Sequence, residues 1–163
     1  MKSALPLVHN ILSDNQRRDL IDYWNSNPRI EYEQSSDELA INMQQQVVPW
    51  DHPSIRAIKD YITSTDSLLN ENDSYTLNYT KGSYMRHHLD NNTVHLTCVT
   101  LLGESPDLYG GVPFFVDEKD NRKIFSAHIK PGQSMIYPRY MRHGVSVIER
   151  GVRMVHVAWF GKS

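Results

Sequence analysis

The sequence predicts a mostly β, α+β domain in which two N-terminal helices cover one face of an eight-stranded sandwich or barrel. Three observations lead there. From Ser74 onward, short runs of β-branched and aromatic residues are broken by Gly, Pro and Asn, as in all-β sandwiches and barrels. Before Ser74, apolar residues recur at helical spacing in two places. The chain has 163 residues, 39% hydrophobic, with the single cysteine Cys98, which fits one domain (1–163) held by its own core without a disulfide framework.

In chain order, Ser13 is an N-cap with Gln16 three residues later, and Leu20, Ile21 and Trp24 share a helical face that ends near Asn27-Pro28. Residues 29–52 are polar and glutamine-rich, which predicts edge strands and a surface loop able to act as a lid. A second helix opens at Pro53 and carries Ile55, Ile58, Ile62 and Leu69 to the stop at Asn70-Glu71-Asn72-Asp73. Residues 1–73 therefore form helical and edge support, and 74–161 a β core. Its strands are predicted at Tyr75 to Tyr79, Tyr84 to His88, Val94 to Leu102, Pro113 to Val116, Ile124 to Ile129, Ser134 to Tyr137, Val145 to Ile148 and Val152 to Phe160, arranged as two sheets of four.

The 17 Lys and Arg against 19 Asp and Glu give a net charge of -2, which argues against nucleic-acid or membrane-surface binding by bulk charge. The apolar N-terminal stretch is too short for a secretory core, and no run approaches the roughly 20 residues that span a bilayer. A cytoplasmic protein is expected.

The sharpest local pattern is Tyr84-Met85-Arg86-His87-His88-Leu89-Asp90. Strand alternation puts His88 and Asp90 on one face with Tyr84 and Arg86, and sends Met85, His87 and Leu89 to the other, helix-covered side. An imidazole and a carboxylate at i and i+2 can bind a divalent metal from one side, although a hydrogen-bonded surface pair has the same spacing. A third candidate ligand, His143, lies in a loop between two predicted strands. Two histidines and one carboxylate make the facial triad of non-haem Fe(II) oxygenases, while zinc in a hydrolase could use the same set. Arg153 shares a strand face with Val155, Val157 and Trp159. A guanidinium in an apolar interior calls for an anion, either Glu149, Glu104 or another protein acid, or the far carboxylate of a ligand such as 2-oxoglutarate.

These residues together resemble the Fe(II)/2-oxoglutarate dioxygenases, and within them the prolyl 4-hydroxylase-like group. The motif Tyr, two residues, Gly, five residues, His-x-Asp runs from Tyr79 through Gly82 to His88 and Asp90. Gly110-Gly111-Val112-Pro113-Phe114-Phe115 is similar to the family's Gly-Gly-x-Thr-x-Phe turn, Ile129-Lys130-Pro131-Gly132 to the stretch before its distal histidine, and His143-Gly144 through Arg153 to Trp159 to its distal half. The resemblance covers roughly 75–160 and implies a double-stranded β-helix (jelly roll). It implies Fe(II) held by His88, Asp90 and His143, and the distal carboxylate of 2-oxoglutarate held by Arg153, with Tyr79 and Thr97 hydrogen-bonded to it. It further implies hydroxylation of a substrate C–H with release of succinate and carbon dioxide, and ascorbate as a further candidate cofactor. Peptidyl proline is the favoured substrate, a free amino acid or other small molecule the alternative, and a metal-free binding module a third. A monomer or homodimer is expected. Val94 stands where many relatives have Arg, and Pro113 where they have Thr, departures that touch the substrate more than the iron.

The remaining histidines, His9, His52, His95, His128 and His156, have no partner at metal-ligand spacing and are expected to be structural or on the surface. Gly110-Gly111 is read as a turn and Cys98 as a small hydrophobe packed away from the Thr97 face. Tyr84, Arg86 and Trp159 fall on the metal face by alternation.

Overall fold

A computed structural model describes residues 6–31 and 40–163. Twelve strands and two helices follow in the order β1 (Leu7–Asn10), α1 (Asp14–Ser26), β2 (Ile30–Glu31), β3 (Ala40–Val47), α2 (Pro53–Thr65), β4 (Leu69–His88), β5 (Leu96–Glu104), β6 (Tyr109–Gly110), β7 (Pro113–Asp117), β8 (Arg122–Phe125), β9 (Gln133–Pro138), β10 (His143–Val145), β11 (Ile148–Arg150) and β12 (Arg153–Lys162). Residues 32–39 of the expected lid lie outside the described residues.

Both helices start where their caps dictate. Gln16 donates its backbone N–H to Ser13 Oγ, and Ser13 its own to Gln16 Oε1, closing the capping box on α1. In α2, Pro53 occupies the first turn and His52 is the cap, its Nδ1 accepting from the Ser54 N–H at 3.1 Å. That bond gives one of the unassigned histidines a structural task.

Instead of two sheets of four, the described strands form one antiparallel, ten-stranded sheet in the order β1-β9-β5-β12-β4-β10-β7-β8, with β3 added beside β4 and β2 beside β3, and β6 and β11 form a separate ribbon. The sheet curls around an interior holding Met43, Tyr75, Leu77, Tyr79, Leu101, Phe115, Met135, Tyr137, Val155 and Val157. On the outer side of β12, β5 and β4, the helices bury Leu20, Ile55, Ile58 and Ile62 against Leu69, Cys98, Leu102, Ala158 and Phe160. These two layers match a jelly-roll-like fold with helical support.

Several predicted boundaries shift. Tyr75 to Tyr79 and Tyr84 to His88 belong to one strand, bent rather than ended at Gly82, whose φ of 89° a side chain would resist. The helix α2 stops at Thr65, so Leu69 opens β4 and the Asn70 to Asp73 cluster lies inside a strand paired with β12. Polarity there reflects a strand end facing solvent. Val145 to Ile148 divides between β10 and β11, the predicted strand from Val94 starts at Leu96, and that from Ile124 stops at Phe125.

The glutamine run, expected in part as loop, forms β3 along β4. Its Gln46 is buried and donates Nε2 to the carbonyls of Trp24 (3.2 Å) and Asn27 (3.0 Å), satisfying the open C-terminal end of α1. Replacing it by Ala strands those carbonyls without water, so Gln46→Ala is expected to lower unfolding stability by about 1–3 kcal/mol in urea titration.

His156, also buried, lies on the helix side with its Nε2 2.9 Å from Ser74 Oγ; its Nδ1 has no partner among the described residues. Burial, with the nearby His52 in support, lowers its pKa to about 3. The unfolded chain takes up this proton near pH 6.5 and the folded chain does not, so the stability is complete above about pH 6.5 and is lost as the pH falls toward 3. At pH 5 the loss is about 2 kcal/mol, from roughly 1.5 pH units at 1.36 kcal/mol each. Thermal melts at pH 7 and pH 5 should show this fall in wild type and a flatter dependence in His156→Asn.

Candidate active site

Inside the curl lies a cavity of about 450 Å³, lined among others by Tyr79, His88, Asp90, Thr97, His143, Arg153 and Trp159. The sequence-predicted site residues are thus brought to one cavity by four different elements. Tyr79 and His88 sit on β4, Thr97 on β5, His143 on β10 and Arg153 on β12, while Asp90 follows the end of β4.

His88 and His143 are cross-strand partners between β4 and β10. The close approach depends on Gly144, where a Cβ would come within 2.6 Å of the Met85 carbonyl and 2.9 Å of the His87 nitrogen. Both imidazoles are oriented by main-chain carbonyls: His88 Nδ1 lies 2.8 Å from Arg86 O, and His143 Nδ1 2.9 Å from Met141 O. Since a carbonyl only accepts, Nδ1 carries a proton in each ring, and Nε2 is the nitrogen left to present a lone pair to a metal ion. The two Nε2 atoms point at one oxygen, Asp90 Oδ1, at 3.5 and 3.4 Å. Three such acceptors repel unless a proton or a metal cation lies between them. A divalent ion bound at about 2.1 Å separates its own ligands by roughly 3 to 3.5 Å, and both nitrogen–oxygen separations match that spacing. All candidate ligand atoms of the group lie within 4.8 Å of one another.

Burial raises the Asp90 pKa, and that effect is outweighed by hydrogen bonds from His143 and His88, which without a metal ion need a proton on Nε2, and by the Thr97 hydroxyl; together they hold the carboxyl well below the usual carboxylate range. Thr97 Oγ1 donates to Asp90 Oδ2 at 2.5 Å. Thr97 was expected at the distal carboxylate of 2-oxoglutarate; the structure places its hydroxyl on the candidate metal ligand instead, where it orients the carboxylate.

Arg153 starts β12, is 4% exposed, and lies with its guanidinium carbon 5.8 Å from the centre of the Tyr79 ring. Glu104, the protein acid directly across the ladder, turns to His128 Nε2 at 2.9 Å. Among the described residues no carboxylate comes within ion-pair distance of Arg153. Burial lowers the Arg153 pKa, offset in part by Tyr79 and Glu104, and burial pushes the Tyr79 hydroxyl up to about 12, so Tyr79 stays a neutral donor. A buried, permanently charged fork without an anion is a costly arrangement that a ligand carboxylate would satisfy.

Alternation fails around His88. Met85 and Leu89 line the cavity, Met85 reaching the other side as well, while Tyr84 and Arg86 line a separate groove there with Phe114 and Lys123; His87 also lines that groove, facing away from the metal ligands as expected. The cause is a register shift between β4 and β10: Val145 pairs with Met85 but His143 pairs with His88, so one extra β4 residue is accommodated between them. That bulge reverses the facing of Tyr84, Met85 and Arg86 relative to His88. Trp159 does face the cavity, as expected, together with Val155, Val157 and Arg153. The carbonyls of Arg86 and Met141 and the cavity-facing Asp73 and Gln45 carried no local motif. Asp73 could have been reached by stepping back in twos from Tyr79 along the strand.

No protein-family model and no curated protein matches the sequence. Solved structures do match in fold, and those most similar in shape include oxygenases of the 2-oxoglutarate–Fe(II) family and prolyl hydroxylases. A Pseudomonas putida prolyl-4-hydroxylase superposes with a TM-score of 0.70 at 17% identity, covering 99% of this chain and 94% of that one. The viral collagen prolyl hydroxylase of Paramecium Bursaria Chlorella virus-1, solved with 2-oxoglutarate, gives 0.68 at 18% identity over 99% and 98%. HygX of Streptomyces hygroscopicus, solved with nickel and 2-oxoglutarate, gives 0.72 at 10% identity over 96% and 82%. The resemblance drawn from the motifs therefore holds for the fold along nearly the whole chain. Among the described residues no helix is long and apolar enough to cross a membrane.

Proposed function

We propose that the chain is an Fe(II)- and 2-oxoglutarate-dependent dioxygenase that hydroxylates a substrate C–H, with peptidyl proline as the favoured substrate. The observation that carries this reading is the pairing, within one cavity, of a candidate three-ligand metal cradle with a buried arginine that no acid among the described residues contacts. A hydrolase would use the cradle and leave Arg153 without a task. The favoured substrate rests on the motif resemblance and on the prolyl hydroxylases among the structures of the same fold.

In this reading residues 1–163 act as one catalytic unit. His88, Asp90 and His143 hold Fe(II), which when bound supplies the redox chemistry of oxygen activation. Thr97 fixes the Asp90 carboxylate, and Arg153 with Tyr79 binds the distal carboxylate of 2-oxoglutarate. The apolar walls from Val155, Val157 and Phe115 exclude water from the space between the two ends. Under anaerobic conditions, Fe(II) plus 2-oxoglutarate should give the visible charge-transfer absorption of the chelate in wild type and not in His143→Ala. No band, together with no succinate in air, would overturn the reading.

A further inference from the structure

The cavity has a second charged feature that neither the metal nor 2-oxoglutarate uses. On β12, Arg153 and Trp159 lie six residues apart on the same face, so they mark opposite ends of the cavity. At the Trp159 end, one row crosses the sheet: Thr97 pairs with Trp159, and Trp159 with Asp73. Thr97 touches the candidate metal ligand Asp90, and the Asp73 backbone lies two strand spacings from that of Thr97, about 10 Å. Asp73 is half-buried and lines the cavity; its Oδ1 accepts only from the adjacent Ser74 N–H at 2.9 Å. Among the described residues no Lys, Arg or His lies within ion-pair distance of it. Beside it, Tyr75 and Trp159 meet edge to face, ring centres 5.5 Å apart at 89°, and Gln45 adds a neutral polar group to the same wall.

A carboxylate without a counter-ion, flanked by two aromatic rings and a side-chain amide, suits a positive charge carried on an apolar stem. The carboxylate supplies the opposite charge, and the rings attract a cation through their faces. An anionic group would be repelled, and a wholly apolar one would leave Asp73 desolvated without a partner. From this juxtaposition we infer that Asp73, Tyr75 and Trp159 form a cation-accepting subsite at the Trp159 end of the cavity, selecting substrates that carry an ammonium or guanidinium group beside the part to be hydroxylated. The inference rests on the dioxygenase reading and narrows its substrate class. For a peptide, such a group is a Lys or Arg side chain close in sequence to the reacting residue.

The test compares three probes, Ac-Ala-Pro-Arg-NH2, Ac-Ala-Pro-Gln-NH2 and free arginine, binding to protein loaded with Fe(II) and 2-oxoglutarate without oxygen. Binding is read from tryptophan fluorescence. The arginine peptide is expected to bind at least tenfold more tightly than the glutamine peptide in wild type, with the difference gone in Asp73→Asn and reversed in Asp73→Lys. Free arginine binding as tightly as the peptide would support the subsite and assign its cation to a small-molecule substrate. Equal affinity of the two peptides, or no binding of any probe, overturns the subsite, as does a preference that survives in Asp73→Asn. The chelate absorption recorded on the same samples separates this from failure of the dioxygenase reading, because an absent band in wild type condemns that reading first.

Discussion

Replacing Arg153 by Met is expected to weaken 2-oxoglutarate binding at least a hundredfold while leaving the ligand-free protein as stable as wild type or more so. The two effects have one cause. In the free protein the guanidinium is 4% exposed, with Glu104 turned to His128 and no carboxylate among the described residues in ion-pair contact, so its desolvation is only partly compensated. Methionine has a similar length and no charge to desolvate, and a buried ion replaced by a well-packed apolar residue is often neutral or stabilising. In the complex the order reverses. The ligand carboxylate would lose a charge-assisted fork and face Tyr79 alone, a loss of about 3–5 kcal/mol for stranding one member of a buried pair. Arg153→Lys should fall between, because a point charge cannot reproduce two parallel N–H bonds. Anaerobic titration of the chelate absorption measures the first effect, and thermal melts without ligand the second. Retained affinity in Arg153→Met would remove Arg153 from the anchor while leaving the metal cradle untouched.

The contrast between Arg153 and Met85 shows what could be read from the sequence and why the rest could not. Arg153, Val155, Val157 and Trp159 were placed on one face by counting in twos, and the regular pairing of β12 with β4 from Arg153 to Trp159 preserves that count. Around Met85 the same counting fails, since the β4–β10 register slips by one residue and a bulge has no compositional mark. Capping chemistry was legible because it is local: Ser13 and Gln16 are three residues apart, and their reciprocal bonds need nothing else from the fold. The Asn70 to Asp73 cluster misled for the opposite reason. Its turn-like composition was overruled by pairing with residues nearly ninety positions later, which no local pattern contains. For the site, spacing could nominate His88, Asp90 and His143, but only folding could show that both Nδ1 atoms are taken by carbonyls and both Nε2 atoms aim at one oxygen. Nor could it show that Glu104, the acid best placed to neutralise Arg153, is turned away.

The metal cradle leads to the other large expected effect. Three ligands held face to face would bind a cation only in the folded state, so on the proposed reading a fitting divalent ion is expected to raise the melting temperature by mass action. At a thousand times its Kd the ion adds about 4 kcal/mol, or roughly 10 °C for a chain of this size. Ni(II) or Mn(II) can be used in air for this measurement. Asp90→Ala removes the oxygen that both imidazoles address and should abolish the shift, and His143→Ala should do the same. Thr97→Val is the more discriminating variant. If the Thr97 hydroxyl serves Asp90, as its 2.5 Å bond indicates, the variant should weaken metal binding about tenfold or more, the usual cost of losing a ligand's orienting partner. Its 2-oxoglutarate affinity, measured at saturating metal, should change far less than in Arg153→Met. The opposite pattern, with metal affinity intact and 2-oxoglutarate weakened, would return Thr97 to the distal carboxylate where the family resemblance first put it. The two titrations therefore decide which end of the ligand this side chain serves, because they read the two ends of the cavity separately.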